Sequence, residues 1–273
     1  MSSKVLRVTH NAAFFSCCSI RLYDIINYFN TNKELPEVVD SSEQFQMHKN
    51  KPGDITHYFF ETTEDNIDYG NEVIFTTSND ERQFLDYSTI NLKEVMPFVR
   101  KYFKLSDLTK QRIDFFIEKY QINYSETCAV YYRGLDKVTE TNVGSHETFI
   151  DKCREIRSKN PNIKFLVQTD ELDFVEKFIS EFGDCILINE LPKIRKQTTL
   201  VTYHIEPEHR VNFGIDFLAA TYIVSQCGTL VTHSGNCGLW SVLLRGNFKN
   251  VHQYITAGIH SERQYGFWTE QTN

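Results

Sequence analysis

The chain has 273 residues, enough for two domains of ordinary size and for a hydrophobic core that needs neither disulfide nor metal to hold it. Hydrophobic residues make up 41% and charged residues 24%, which excludes a disordered or fibrous chain. The net charge of -7 is spread over two acidic halves; this excludes nonspecific nucleic-acid binding and leaves room for a small anionic ligand held by one or two basic side chains.

Short β-branched runs alternate with helical patterns, so an α/β architecture is expected. VLRVTH (5–10) reads as a first strand, NAAFFSCC as a turn of small residues and SIRLYDIINYFN as an amphipathic helix. LPEVVD reads as a second strand, DITHYFF and NEVIFTT as a third and fourth. Leu92 to Tyr120 is helical, with Pro97 at a helix start or kink. CAVYYRG (128–134) is a strand running into a glycine, and HETFIDKCREIRSK a helix. IKFLVQTD, ELDFVEKFISEF and CILINE follow as strand, helix and strand. IDFLAATYIVSQC is a helix, GTLVTHSG a strand, NCGLWSVLLRG a helix, and NFKNVHQYI a last strand.

This pattern divides the chain into two Rossmann-like domains facing a central cleft. Residues 1–120 form the first and 121–255 the second, with a tail, 256–273, returning to the first. No run of about 18 apolar residues occurs, and MSSKVLRVTH has no signal-peptide core, so neither a membrane span nor export is expected. The 7 cysteines form no CxxC pair, which argues against a zinc site and for reduced, buried thiols.

Ligands of such sheets bind beyond the carboxyl ends of the strands. Three segments lie there. In YYRGLDKVTE, Arg133 can fork two donors onto a diphosphate, and Gly134 allows close backbone approach; Asp136, Lys137 and Glu140 follow. The alternative is a solvated loop in which Arg133 pairs with Asp136. In VQTD, Thr169 or Asp170 either caps the next helix or binds a ribose or base edge. In VTHSGNCG, His233, Ser234, Gly235, Asn236 and Gly238 lead into a helix N-terminus, a ready anion site; the alternative is a tight turn with a structural histidine. Neither GxxxxGK nor GxSxG is present. No Asp-x-Asp triplet occurs, and Glu171-Leu172-Asp173 reads as a helix's first turn.

The order of these segments resembles the donor-binding domain of the GDP-fucose-dependent fucosyltransferase superfamily. YYRGLDKVTE is similar to its H-x-R-R/G-T/L-D-K-V-x-T-E stretch, FLVQTDE to its F/Y-L/V-A-T-D-D/E motif, and VSQCGTLVTHSGN to its third motif. The resemblance implies a GT-B fold and a metal-independent glycosyltransferase of soluble microbial or large-virus type, in the cytoplasm. It would take a GDP-sugar, GDP-fucose or GDP-mannose, and a carbohydrate acceptor, with no required cofactor and no need of Mg or Mn. Arg133 falls on the diphosphate-binding arginine, Asp136 and Lys137 on the Asp-Lys pair, and Glu140 near a glutamate proposed as base. Ser234 and Asn236 would lie by the β-phosphate. The sequence departs from the pattern at Tyr131, where the family has His. Gly238 and Leu239 occupy the region of the third motif's Arg, and Ala220 and Thr221 that of the guanine-contacting Asp. A non-catalytic nucleotide- or sugar-binding module is the alternative. Phe14, Phe15 and Tyr58 are candidates for stacking on the acceptor sugar.

Overall fold

The computed structural model describes residues 4–63, 67, 72–75, 84–195, 201–260, 262 and 264–271. Its largest sheet has five strands: β5 (Thr127–Tyr132), β6 (Lys164–Thr169), β7 (Thr229–His233), β8 (Val251–Ile255) and β9 (Phe267–Gln271), in the order β6-β5-β7-β8-β9. The first four are parallel, with Cys128 opposite both Phe165 and Thr229; β9 runs antiparallel to β8. All six residues of β5 are buried, as a central parallel strand covered on both faces requires. The chain leaves β5 for β6 on one side and returns to β7 on the other. The sheet therefore has its topological switch point between β5 and β7, the place where α/β folds open a crevice.

Helices α4 (His146–Lys159), α5 (Leu172–Phe182), α6 (Arg210–Gln226) and α7 (Asn236–Arg245) flank this sheet. Ser145 starts α4 by accepting a hydrogen bond from the Thr148 amide, 3.1 Å. Helix α6 is apolar around most of its circumference, with Gly214, Ala219 and Ala220 buried. It packs on α7 and on α3 (Asp107–Tyr120) of the first half, so it joins the two halves. Ile186, in the expected strand CILINE, makes only a single bridge to Leu166.

The first half departs from the Rossmann expectation. β1 (Val5–Arg7) and β2 (Val38–Asp40) pair in parallel around α1 (Phe14–Asn32), a single βαβ unit. Beyond it lie α2 (Leu92–Tyr102) and a short antiparallel pair, β3 (Phe60–Glu61) with β4 (Lys104–Leu105). Pro97 sits inside α2. NAAFFSCC is not a turn, because α1 begins at Phe14. DITHYFF forms a 3-10 turn and the start of β3, and residues 72–75 of NEVIFTT form no strand; residues 71, 76 and 77 lie outside the described residues.

The larger core cluster runs through both halves. Phe15 stacks on Trp240 of α7 at 6.1 Å, and Phe103 meets the same indole at 4.7 Å. The tail expectation is also corrected. Residues 267–271 add β9 to the second sheet, where Trp268 packs on Phe149 and Tyr254, each at 5.2 Å. Pairing there satisfies the otherwise open edge of β8. Among the described residues no helix is long and apolar enough to cross a membrane.

Candidate functional site

Strand β5 delivers Arg133 to the switch point. Its guanidinium reaches Asp170 Oδ2 through Nε at 2.7 Å, Asp136 Oδ1 through Nη2 at 2.6 Å, and Cys237 Sγ through Nη1 at 3.4 Å. The three sequence segments, more than 100 residues apart at their extremes, thus meet on one side chain. Burial opposes the charge on Arg133, but Asp170, Cys237 and Asp136 outweigh it and hold the pKa well above its ordinary value. Asp170 moves up from the usual carboxylate value, because burial outweighs the pull of Arg133. Its Oδ1 has no hydrogen-bond partner.

Gly134 has a steric task. A Cβ there would lie 1.9 Å from Glu171 Oε2. Glu171 is 1% exposed and engages His146 Nε2 through Oε1 at 3.1 Å. Thr169 takes the turn-forming role, its Oγ1 accepting from the Glu171 amide at 3.1 Å. Lys137 and Glu140 form an ion pair with each other on the 3-10 turn Asp136–Thr139 and its C-cap. Glu140 is 47% exposed at its side chain, and neither residue lines the cavity described below.

The 233–238 loop is occupied by protein. His233 accepts from the Arg133 amide at Nε2, 3.1 Å, and its Nδ1 meets the Ser234 carbonyl at 2.6 Å. This assigns the Nδ1–H tautomer. Burial lowers the ring's pKa to about 4, so it is a neutral clamp between the ends of β5 and β7. Ser234 Oγ accepts from Gln253 Nε2 at 2.9 Å and from the Thr256 amide at 3.2 Å. Tyr87 of the first half donates to the Gly235 carbonyl at 2.9 Å and accepts from the Gly235 amide at 3.0 Å. Asn236 Oδ1 accepts from Ser19 of α1 at 2.8 Å, and Ser19 accepts from Trp240 Nε1 at 2.9 Å. A Cβ on Gly238 would stand 2.4 Å from the His233 carbonyl and 2.7 Å from Tyr87 Oη. The side chains of Ser234 and Asn236 are thus engaged by Gln253 and Ser19.

A cavity of ≈ 60 Å³ opens beside Arg133, room for a few waters. Tyr131, Gln168 and Asp170 line it from the sheet, Phe213 and Phe217 from α6, and Phe14 and His48 from the first half. Tyr131 Oη and both ring nitrogens of His48 lack hydrogen-bond partners. Phe15, by contrast, packs into the core on Phe217 and Trp240, and Tyr58 lies against His57. His48 and Tyr87 carry no motif in the sequence. Only their arrival from the first half marks them. The basic loop 192–195 spends its cations within the protein: Lys193 caps the carbonyls of Ile188 and Leu191, and Arg195 pairs with Asp173 and Glu176. Asp216 pairs with Arg112 instead of facing the cavity.

No protein-family model matches this sequence, and no curated protein matches it. Solved structures do. The crystal structure of NodZ alpha-1,6-fucosyltransferase soaked with GDP-fucose aligns with a TM-score of 0.61 at 14% identity, covering 98% of this chain and 99% of that one. This chain has the fold of that enzyme. Selenomethionine NodZ from Bradyrhizobium gives a TM-score of 0.57 at 13% identity over 98% of both chains. NodZ co-crystallized with GDP gives 0.52 at 14% identity over 85% and 88%. The mixed α/β fold is thus similar, end to end, to that of a GT-B fucosyltransferase, as the three motifs imply.

Proposed function

We propose that this chain is a glycosyltransferase that moves a hexose, fucose or mannose, from a GDP-sugar to a hydroxyl of a glycan or small sugar acceptor. The observation that carries this reading is the convergence of all three motif segments on Arg133 at the switch point of a fold shared with NodZ. The two halves, in this reading, form the GT-B pair around the cavity, and the chain works in the cytoplasm.

The reaction is an inverting displacement. The acceptor oxygen attacks the anomeric carbon, the bond from that carbon to the β-phosphate oxygen breaks, and GDP leaves. Arg133, with the positive end of α7, stabilises the charge growing on the diphosphate. Glu140 takes the proton of the acceptor hydroxyl; its exposure suits a base that must meet a second substrate. Lys137 holds Glu140 and adds positive charge near the diphosphate. Asp136 and Asp170 fix the guanidinium plane. Gly134 and His233 act at one remove, by making room for Glu171 and clamping the two strand ends. No divalent metal is assigned a role.

A non-catalytic nucleotide- or sugar-binding module is the second reading. The closed 233–238 loop and Leu239 in the third motif favour it. A thermal-shift panel of GDP, UDP, ADP, GDP-mannose and GDP-fucose, with and without Mg or Mn, tests nucleotide choice. Ligand at a hundred times its Kd adds about 2.7 kcal/mol to native stability. GDP and its sugars should raise Tm, with or without metal; a shift with UDP or ADP alone contradicts the proposal. GDP release from a donor with acceptor present separates transferase from binding module.

A further inference from the structure

We propose that the cavity beside Arg133 seats the hydroxyl-bearing edge of the transferred hexose and that His48 is the residue of the first half that reads it. This rests on the GDP-hexose reading above and adds the subsite and the residue. His48 is 1% exposed, in edge contact with Phe14 at 5.2 Å and stacked on Phe213 at 5.9 Å. Gly214 lets α6 come this close, since a Cβ there would lie 3.3 Å from His48 Nδ1. Neither ring nitrogen makes a well-aligned hydrogen bond, although the Arg210 backbone lies near the ring. Folded proteins rarely leave such groups unmatched without a ligand or a functional reason.

Two more unmatched atoms, Tyr131 Oη and Asp170 Oδ1, belong to residues that line the same cavity. Burial, opposed by the nearby Arg210 backbone, holds the His48 ring neutral, with a pKa of about 4. A neutral imidazole offers one donor and one acceptor, the phenol one of each, and the carboxylate acceptors. Sugar hydroxyls both donate and accept, so they match this set; the apolar walls of Phe14 and Phe217 match the C–H face of a ring. A second anion beside the diphosphate does not match. Arg133 is the one cation among the described residues lining the cavity, and the GDP reading already uses it. A purine does not match either, because the parallel Phe213 and Phe217 rings stand only 6.0 Å apart and leave no room for a base between them.

The test is calorimetry of GDP, GDP-fucose and GDP-mannose on the wild type, His48→Phe and His48→Gln. The quantity read is the Kd of the better-bound GDP-hexose divided by the Kd of GDP. This ratio should rise about tenfold in His48→Phe and less in His48→Gln, which keeps a donor and an acceptor. Melting curves report folding. Should His48→Phe not fold, His48→Gln and Tyr131→Phe carry the same ratio test. An unchanged ratio overturns the proposal, as does a parallel loss of GDP affinity or a change confined to the acceptor KM. Failure of the wild type to bind GDP removes the underlying reading and this inference with it, a result distinct from GDP binding with an unchanged ratio.

Discussion

The two sides of the switch point carry similar residues and end in opposite states. On the β7 side the loop from His233 to Gly238 has its polar side chains met by protein: Gln253 and Thr256 hold Ser234, Tyr87 brackets Gly235, and Ser19 holds Asn236. On the β5–β6 side Tyr131 Oη and Asp170 Oδ1 are buried without a well-aligned hydrogen bond, and His48 lines the same cavity. A buried polar group without a partner calls for an explanation, and a satisfied one does not. On the proposed function, ligand contact falls to the Arg133 side and positioning to the loop.

Removing Arg133 breaks the comparison most severely. Arg133→Gln should lower turnover by about two to three powers of ten. It also strands the Asp136 and Asp170 carboxylates in a site where Arg133 is 12% exposed, at a cost of about 3–5 kcal/mol. Adding Asp170→Asn removes one stranded charge and should recover part of that stability without recovering turnover. Equal recovery of both would make Arg133 a structural residue only.

Tyr87→Phe is the matching cut on the other side. It leaves the buried Gly235 amide and carbonyl without Tyr87 Oη and should cost about 1–3 kcal/mol. That lowers Tm by about 2–4 °C per kcal/mol in a chain near this size. GDP affinity should stay within about twofold. A large loss of GDP affinity with an unchanged melting curve would move the ligand to the loop and reverse the comparison.

The smallest effect is a pH dependence. The Asp170 pKa is raised, chiefly by burial. Below that pKa the carboxyl is neutral and Arg133 faces one carboxylate; above it, two. A diphosphate therefore binds more tightly as pH falls, and the gain is lost as pH rises. As pH falls toward the raised Asp170 pKa we expect GDP affinity to rise, and Asp170→Asn to flatten the profile. His48 and His233, both lowered by burial to about 4, stay neutral near neutral pH and do not contribute there.

What was legible in the sequence follows from this contrast. Strand-end position and residue type are local properties, so β5, β6, β7 and α4 fall close to where periodicity places them, and Arg133, Asp136 and Asp170 do meet. The first half was much less legible. Its apolar residues read as a second Rossmann core, yet Phe15 and Phe103 serve the same core as Trp240, and among the described residues only one βαβ unit forms. The loop's protein partners were hidden for a related reason. Ser234, Gly235 and Asn236 are good anion donors by type, and nothing local reveals that Tyr87 and Ser19 arrive from 148 and 217 residues away to engage Gly235 and Asn236. His48 lay beyond pattern altogether, since a lone histidine near a 3-10 turn signals nothing until α6 closes over it.

The most direct test of the central claim is a GDP titration by calorimetry on three folded proteins: the wild type, Arg133→Gln with Asp170→Asn, and Tyr87→Phe. We expect wild type and Tyr87→Phe to bind GDP within about twofold of each other, and the Arg133 variant to bind at least about a hundredfold more weakly. Undiminished GDP affinity in the Arg133 variant would contradict the account.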